Sequence, residues 1–255
     1  MDESPHRYRP LNTSQLHILT SLYRFRFATS NHLSQTTTKT TQIVMNRRLS
    51  LLMRQGYIGR NFEPSYFATR RPASYFLAPD GVRALRATAD PQYHPAVLKS
   101  VHKDATASQR FIAHSFKVFE LYQRLTDIYG PNIKVFTKSQ LRSYHYFPQP
   151  LPDAYVRLTN GAGERHYFIE LVAGYEPFLA QVGRVKRFIK YDEDGDWEAA
   201  TGTKLPQTLL LCDYWAQAKK LKSYADREVD DFDRDDSPIQ IMTRDSITQQ
   251  IDQLS

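Results

Sequence analysis

The chain has 255 residues, 41% apolar and 13% aromatic, with 34 Lys and Arg against 27 Asp and Glu for a formal charge of +7. That much apolar material fills one large or two small cores, so a disordered chain is excluded, and one cysteine, Cys212, excludes both a disulfide framework and a cysteine-clustered zinc site. The N-terminus is polar and no apolar run reaches the roughly 18–20 residues that span a bilayer, so a soluble, cytoplasmic protein without membrane contact is expected.

The charge is unevenly placed. Residues 1–89 hold 13 Arg and Lys against 4 Asp and Glu, a balance of +9, which leaves −2 for the remainder. An anionic partner is therefore expected at the amino end.

In chain order, the polar, Pro-punctuated MDESPHRYRP (residues 1–10) reads as a flexible arm. From Asn12 or Thr13, either a possible N-cap, Leu16, Leu19, Leu22 and Tyr23 recur at helical spacing and predict a first helix ending near Arg24. Thr29 or Ser30 caps a short second helix through His32, Leu33 and Gln35, and TTTKTT separates it from a third. In that third helix Ile43, Val44, Leu49, Leu52 and Met53 are expected to face inward, Gln42, Asn46, Arg47, Arg48 and Arg54 elsewhere, with Gly56 as the stop. YIGRNF and SYFLA follow as strands of a hairpin whose long tip carries Arg70 and Arg71, and APDGVRAL opens another helix.

Three helices, a basic hairpin and a helix form the order of a winged helix-turn-helix domain, expected over residues 11–90, and YFLAPDGVRAL resembles the wing exit of winged-helix repressors. In such a domain the third helix enters the major groove of duplex DNA. Gln42 and Asn46 then suit adenine edges, because an amide both donates and accepts, while Arg47 or Arg48 suits guanine or phosphate. Lys39 and Thr41, with Thr38, sit where a helix N-terminus and a cation hold a phosphate. Arg70 and Arg71 reach the minor groove or the backbone. The plain alternative is a solvated basic helix face; it is outweighed by the coincidence of helix order, Thr cap, basic hairpin and charge in one segment.

Residues 90–95, bracketed by Pro91 and Pro95, read as a linker, and residues 96–255 as a second domain. A long helix over about residues 105–129 carries an apolar stripe from Phe111 to Ile128, ended by Gly130 and Pro131. Strands IKVF, DAYVRL and YFIELV, helix PFLAQVGRVKRFIKY, strand QTLLLC, helix WAQAKKLKSYA and strand IQIM follow, which predicts a mixed sheet flanked by helices. EVDDFDRDD reads as a solvated loop, GAGER as a hairpin turn and Cys212 as a buried small hydrophobe.

This second half resembles the restriction-endonuclease-like fold of PD-(D/E)xK enzymes. Asp153 of the Pro152-Asp153 pair and Glu170 fall on the motif's acids, whereas Val172 stands where the motif has lysine. Two carboxylates can hold Mg²⁺, but without a cation both water activation and transition-state charge suffer. Lys186 or Lys190 is a candidate displaced amine, Glu120 a third carboxylate and Gln181 a polar contact; the plain alternatives are a solvated helix face, a surface acid and a surface amide. Apart from Mg²⁺ in that nuclease reading, no cofactor is expected. The eight histidines are dispersed and no Gly-rich phosphate loop appears.

"SQLHILTSLYRFRFATSNHLSQ", "RRLSLLMRQGYIGR", "ASYFLAPDGVRAL", "RFIAHSFKVFELYQRL", "LPDAYVRL" and "FIELVAGYEP" together resemble the replication-relaxation family of plasmid and mobile-element proteins, over about residues 11–191. The resemblance implies a DNA-binding winged helix joined to a nuclease-like domain that has lost its lysine. It implies a role in plasmid replication or in relaxation of origin DNA during mobilisation. The expected partner is duplex DNA, bound by a homodimer on paired half-sites, with a relaxase or replication initiator beside it. Two alternatives stay open: a Mg²⁺-dependent nickase using Asp153 and Glu170, and a transcriptional repressor.

Overall fold

Side chains start the helices of the amino-terminal half. At α1 (Thr13–Phe25) the Asn12 side chain accepts from the Gln15 N–H and the Gln15 side chain from the Asn12 N–H, a reciprocal capping box. Thr29 Oγ1 accepts from the His32 N–H at the start of α2 (Ser30–Thr36), and Thr41 Oγ1 from the Val44 N–H at the start of α3 (Gln42–Arg54). Beyond α3, Gly56 takes φ of 72°, a left-handed turn that L side chains resist. β1 (Ile58–Asn61) and β2 (Ser74–Leu77) pair antiparallel, and a single bridge from Ala28 to Tyr75 adds the chain between α1 and α2 to β2. In α4 (Pro79–Ala87), Gly81 packs so closely that a Cβ there would lie 2.2 Å from the Tyr57 carbonyl oxygen.

This computed structural model describes residues 11–36, 40–62, 71–161, 163–230 and 239–247; the expected arm, Thr38, Lys39, Arg70 and most of the acidic stretch lie outside them. The fold is mixed α+β, with a small antiparallel sheet and a five-stranded mixed sheet. Two compact units share the chain, Met1–Gln123 and Arg124–Ser255.

The first unit is built on Ile18, Leu19, Leu22, Leu33, Met45, Leu49, Leu52 and Leu85, all fully buried, at roughly 1.5–3 kcal/mol per side chain. It extends past residues 90–95, where the sequence suggests a linker, through α5 (Pro95–Ser100) and a 3-10 turn, Val101–Thr106, into α6 (Gln109–Tyr129). Packing explains the difference. Tyr93, Val97, Leu98 and Val101 join the same core, the Tyr23 hydroxyl accepts from the His94 N–H, and Phe119 of α6 stacks on Phe25 at 4.0 Å. Arg26 donates to both oxygens of buried Asp104, at 2.9 and 2.6 Å, and ties the 3-10 turn to the end of α1.

The second unit runs β3 (Ile133–Thr137), α7 (Lys138–Leu141), β4 (Ala154–Asn160), β5 (Gly163–Val172), α8 (Phe178–Asp194), α9 (Asp196–Thr201), β6 (Gln207–Cys212), α10 (Trp215–Asp230) and β7 (Ile239–Thr243). The sheet order is β3-β4-β5-β6-β7; β4 pairs antiparallel with both β3 and β5, while β6 and β7 join in parallel. β6 reads as a continuous apolar run because it is buried on both faces. Phe147, Tyr155, Phe168 and Trp197 pack edge to face at one side of the sheet. Among the described residues no helix is long and apolar enough to cross a membrane.

Candidate functional site

Register builds the polar centre of the second unit. The β3–β4 and β4–β5 ladders end at the pairs Thr137–Ala154 and Ala154–Ile169, which brings the neighbouring residues Lys138, Asp153 and Glu170 to one place. Two carboxylates opposed across strands repel unless cations meet them. Lys138 Nζ lies 2.6 Å from Asp153 Oδ1, and Asp153 Oδ2 accepts from the Leu171 N–H at 2.8 Å. Glu170, on the sheet face covered by α8, accepts from Arg184 Nε at 3.1 Å and from Arg187 Nη2 at 3.0 Å. Arg184 also grips both oxygens of Glu176.

Burial decides the electrostatics. Asp153 is 2% and Glu170 4% exposed. Burial first, then the facing Asp153, push the Glu170 carboxyl above the usual range, opposed by Lys138, Arg187 and Arg184. Lys138 keeps about half of its side chain exposed; desolvation of its ammonium works against the charge, but Asp153 and Glu170 outweigh it and hold the pKa above the ordinary lysine value. Three carboxylates (Asp153, Glu170, Glu176) meet three cations (Lys138, Arg184, Arg187), so the cluster balances its own charge.

That balance bears on metal binding. The oxygens of Asp153 and Glu170 already take charged or backbone donors, so a divalent ion would have to displace them; as arranged, the donor set does not fit Mg²⁺. Among the described residues no three His, Cys, Asp or Glu side chains gather into a metal-binding group. Arg187 Nε is buried and has no hydrogen-bond partner among the described residues.

Several sequence candidates sit elsewhere. Arg184 and Arg187, three apart, share the α8 face toward Glu170, whereas Lys186 is about 200° round the helix from Arg184. Lys186 instead lies 3.6 Å from Glu228 and over the Tyr224 ring, and Lys190 lies 3.6 Å from Asp194. Glu120 belongs to the first unit, 3.6 Å from His32. Gln181 is buried, not a surface amide; its Nε2 donates to the Glu176 carbonyl at 2.7 Å and its Oε1 accepts from Gln217 at 3.2 Å. Val172 is buried in the core beside Val182 and Val185, an apolar place for the motif's lysine position. Cys212 is fully buried, and burial pushes its thiol up to about 12.

Sequence reasoning missed Lys138, Arg184 and Arg187. A signal for Lys138 existed: Thr137-Lys138-Ser139-Gln140 has capping-box spacing, and the Thr137 N–H donates to Gln140 Oε1 at 3.1 Å, which starts α7 with Lys138 as its first residue.

In the first unit, the phase of α3 differs from expectation. Met45, Leu49 and Leu52 are buried, but Ile43 is 68% exposed and Val44 38%. Ile43 lies four residues before Arg47 and eight before Leu51, on the outer face with Asn46, Ser50 and Arg54. Gln42 is committed internally: its Nε2 donates to Ser30 Oγ at 2.6 Å and Asn46 Oδ1 at 3.3 Å, and its Oε1 accepts from Ser34 at 3.1 Å. Arg48 is half-buried and donates to Thr40 Oγ1 at 3.2 Å, and Thr41 serves as N-cap. Asn46, Arg47 and Arg54 line one shallow hollow with Ile43; Asn46 also lines a second with Arg60 and Arg71 from the hairpin. The structure thus brings Asn46, Arg47 and Arg71 to one side and turns Gln42 and Arg48 to holding the helix in place.

Fold and site together define a two-unit α+β protein: helices with a small hairpin sheet, then a five-stranded sheet around a charge-balanced carboxylate pair. The replication-relaxation family model matches residues 19–205, and the chain belongs to that family. Membership points to a role in replication or mobilisation of plasmids or mobile elements. No curated protein and no solved structure matches the chain.

Proposed function

We propose that the first unit is a winged helix that binds duplex DNA sequence-specifically, with α3 as recognition helix and the β1–β2 hairpin as wing. The observation that carries this reading is the outer face of α3. Asn46, Arg47, Ser50 and Arg54 offer donors and charge there, Ile43 and Leu51 offer apolar contact of the kind that meets thymine methyl groups, and Arg60 and Arg71 flank the same surface. A homodimer on paired half-sites, acting with a relaxase or replication initiator, completes the reading. The second unit is a restriction-endonuclease-like domain, catalytically degenerate, which serves contacts with a partner or the dimer mate. A gel shift on duplex DNA from the element's origin tests it: Arg47→Ala/Arg54→Ala is expected to weaken binding at least tenfold, and unchanged affinity contradicts the reading.

One observation favours a second reading, a Mg²⁺-dependent nickase: an ammonium group, that of Lys138, lies beside Asp153 although Val172 cannot supply one. Supercoiled plasmid incubated with Mg²⁺ or Mn²⁺ separates the two. The first reading expects no nicking; nicking that disappears in Asp153→Asn, Glu170→Gln and Lys138→Ala while circular dichroism shows each variant folded establishes the second.

A further inference from the structure

β5 and β6 are parallel neighbours, with Val172 opposite Cys212, so the chain leaves both at the same end of the sheet. The turns that follow, residues 173–177 and 213–214, are joined to each other. The Gly174 N–H donates to Asp213 Oδ2 at 2.9 Å and the Tyr214 hydroxyl to the Gly174 carbonyl at 3.4 Å; a Cβ on Gly174 would lie 2.4 Å from the Tyr214 ring. Beneath them, buried Gln217 accepts from the Asp213 N–H and donates to the Val172 carbonyl and to Gln181, which in turn holds the Glu176 carbonyl. A buried amide network fixes two turns whose side chains point outward.

The large side chains in these turns and at the start of the helices that follow them stand exposed. Tyr175 is 52%, Tyr214 51%, Trp215 71% and Leu179 82% exposed. A cluster of this size marks a contact surface. The charges around it choose the occupant. Arg184 meets Glu176, and Arg244 lies 3.7 Å from Asp213, which leaves the exposed Lys219 and Lys220 of α10 as the patch's own cations among the described residues. Lys220 Nζ sits 4.1 Å over the Phe178 ring, so its charge is held at the edge of the patch. Protein interfaces disfavour lysine near apolar anchors, whereas aromatic rings interleaved with lysines suit unpaired bases and their phosphates.

We infer that Tyr175, Tyr214 and Trp215 form a stacking platform for single-stranded DNA, with Lys219 and Lys220 on its phosphates. The inference rests on the second unit being a contact surface and is independent of duplex recognition by α3. The Tyr214 ring, held by its hydroxyl against Gly174, loses little freedom on binding, and each stacked base contributes without regard to its identity.

Titration of the full chain with fluorescein-labelled oligothymidylate tests it, read by anisotropy and by tryptophan emission. The wild type is expected to bind with quenching of Trp215. Trp215→Ala, with unchanged circular dichroism, is expected to lose the quench and to bind roughly 5- to 150-fold more weakly, as about 1–3 kcal/mol per stacked base requires. Lys219→Ala/Lys220→Ala is expected to lower the salt slope by about 0.7 for each phosphate that the lysines neutralise. Lys190→Ala, which removes an exposed lysine paired with Asp194, is expected to leave oligothymidylate binding unchanged. A chain that binds oligothymidylate through Trp215 but ignores duplex DNA sinks the α3 reading and keeps this one. No binding by the wild type, or wild-type affinity in folded Trp215→Ala, overturns the inference. So does a dimer that Leu179→Ala/Trp215→Ala converts to monomer with strand binding unaltered, because a second copy then covers the patch.

Discussion

The outer face of α3 and the carboxylate cluster of the sheet unit treat their cations in opposite ways. On the outer face of α3, Arg47 and Arg54 stand exposed, and neither forms an ion pair among the described residues. In the sheet unit Lys138, Arg184 and Arg187 are drawn onto Asp153, Glu170 and Glu176. An exposed arginine keeps its hydration and releases counterions when a phosphate arrives, so it contributes to binding a polyanion and little to stability. A buried one is tied to its carboxylate, and removing either partner leaves a charge that the interior cannot solvate. Among the described residues the helical unit has one such pair of its own, Arg26 with Asp104.

The sharpest way to break this comparison is to remove Glu170. Glu170→Ala leaves Arg184 and Arg187 without their shared partner, and urea unfolding is expected to show a loss of about 3–5 kcal/mol. An unchanged midpoint means that the cluster does not hold the sheet unit together, and the contrast between the units fails.

Alkaline titration sharpens the same point at a smaller scale. Burial pushes the Tyr155 phenol up to about 12. An unfolded tyrosine ionises near 10, so between about pH 10 and 12 the unfolded chain binds fewer protons than the folded one and stability falls as pH rises. The Tyr155 share of that fall is about 2–3 kcal/mol by pH 12. Lys138 acts in the same direction, since its raised pKa stabilises below the unfolded lysine value and is lost above the folded one. Tyr155→Phe is expected to unfold less steeply with rising pH than the wild type; equal slopes contradict the assignment.

The smallest effect belongs to the helical unit. Gln42 links α2 to α3 through Ser30 and Ser34 on the surface, so Gln42→Ala is expected to cost about 0.5–1.5 kcal/mol in thermal unfolding. On the proposed α3 reading it lowers duplex affinity only slightly, because the amide is held inside the protein; a loss as large as that of an outer-face arginine would return Gln42 to the base-reading set.

The elements were legible where periodicity and caps act locally. Asn12, Thr29 and Thr41 start helices within a residue of the expected places, and each predicted strand of the sheet is found. Phase was harder: α3 carries apolar residues at Ile43, Val44, Met45, Leu49, Leu51 and Leu52, which leaves more than one stripe to choose from, and only packing selects Met45, Leu49 and Leu52. The partners of the carboxylates were the least legible. Asp153 and Glu170 could be singled out by their motif, but Lys138 reaches Asp153 through strand register, and register depends on contacts distant in sequence. The division of the chain was hidden for a related reason, since α6 is one uninterrupted helical pattern and the change of unit after Gln123 leaves no mark on its periodicity.

The salt dependence of duplex DNA binding tests the central claim most directly. Arg47→Ala/Arg54→Ala is expected to reduce the slope of log affinity against log salt concentration by about 0.9 for each phosphate that the two arginines neutralise. Lys190→Ala, which removes an exposed lysine lying 3.6 Å from Asp194 in the sheet unit, is expected to leave it unchanged. Equal slopes in the wild type and the arginine variant would contradict the account.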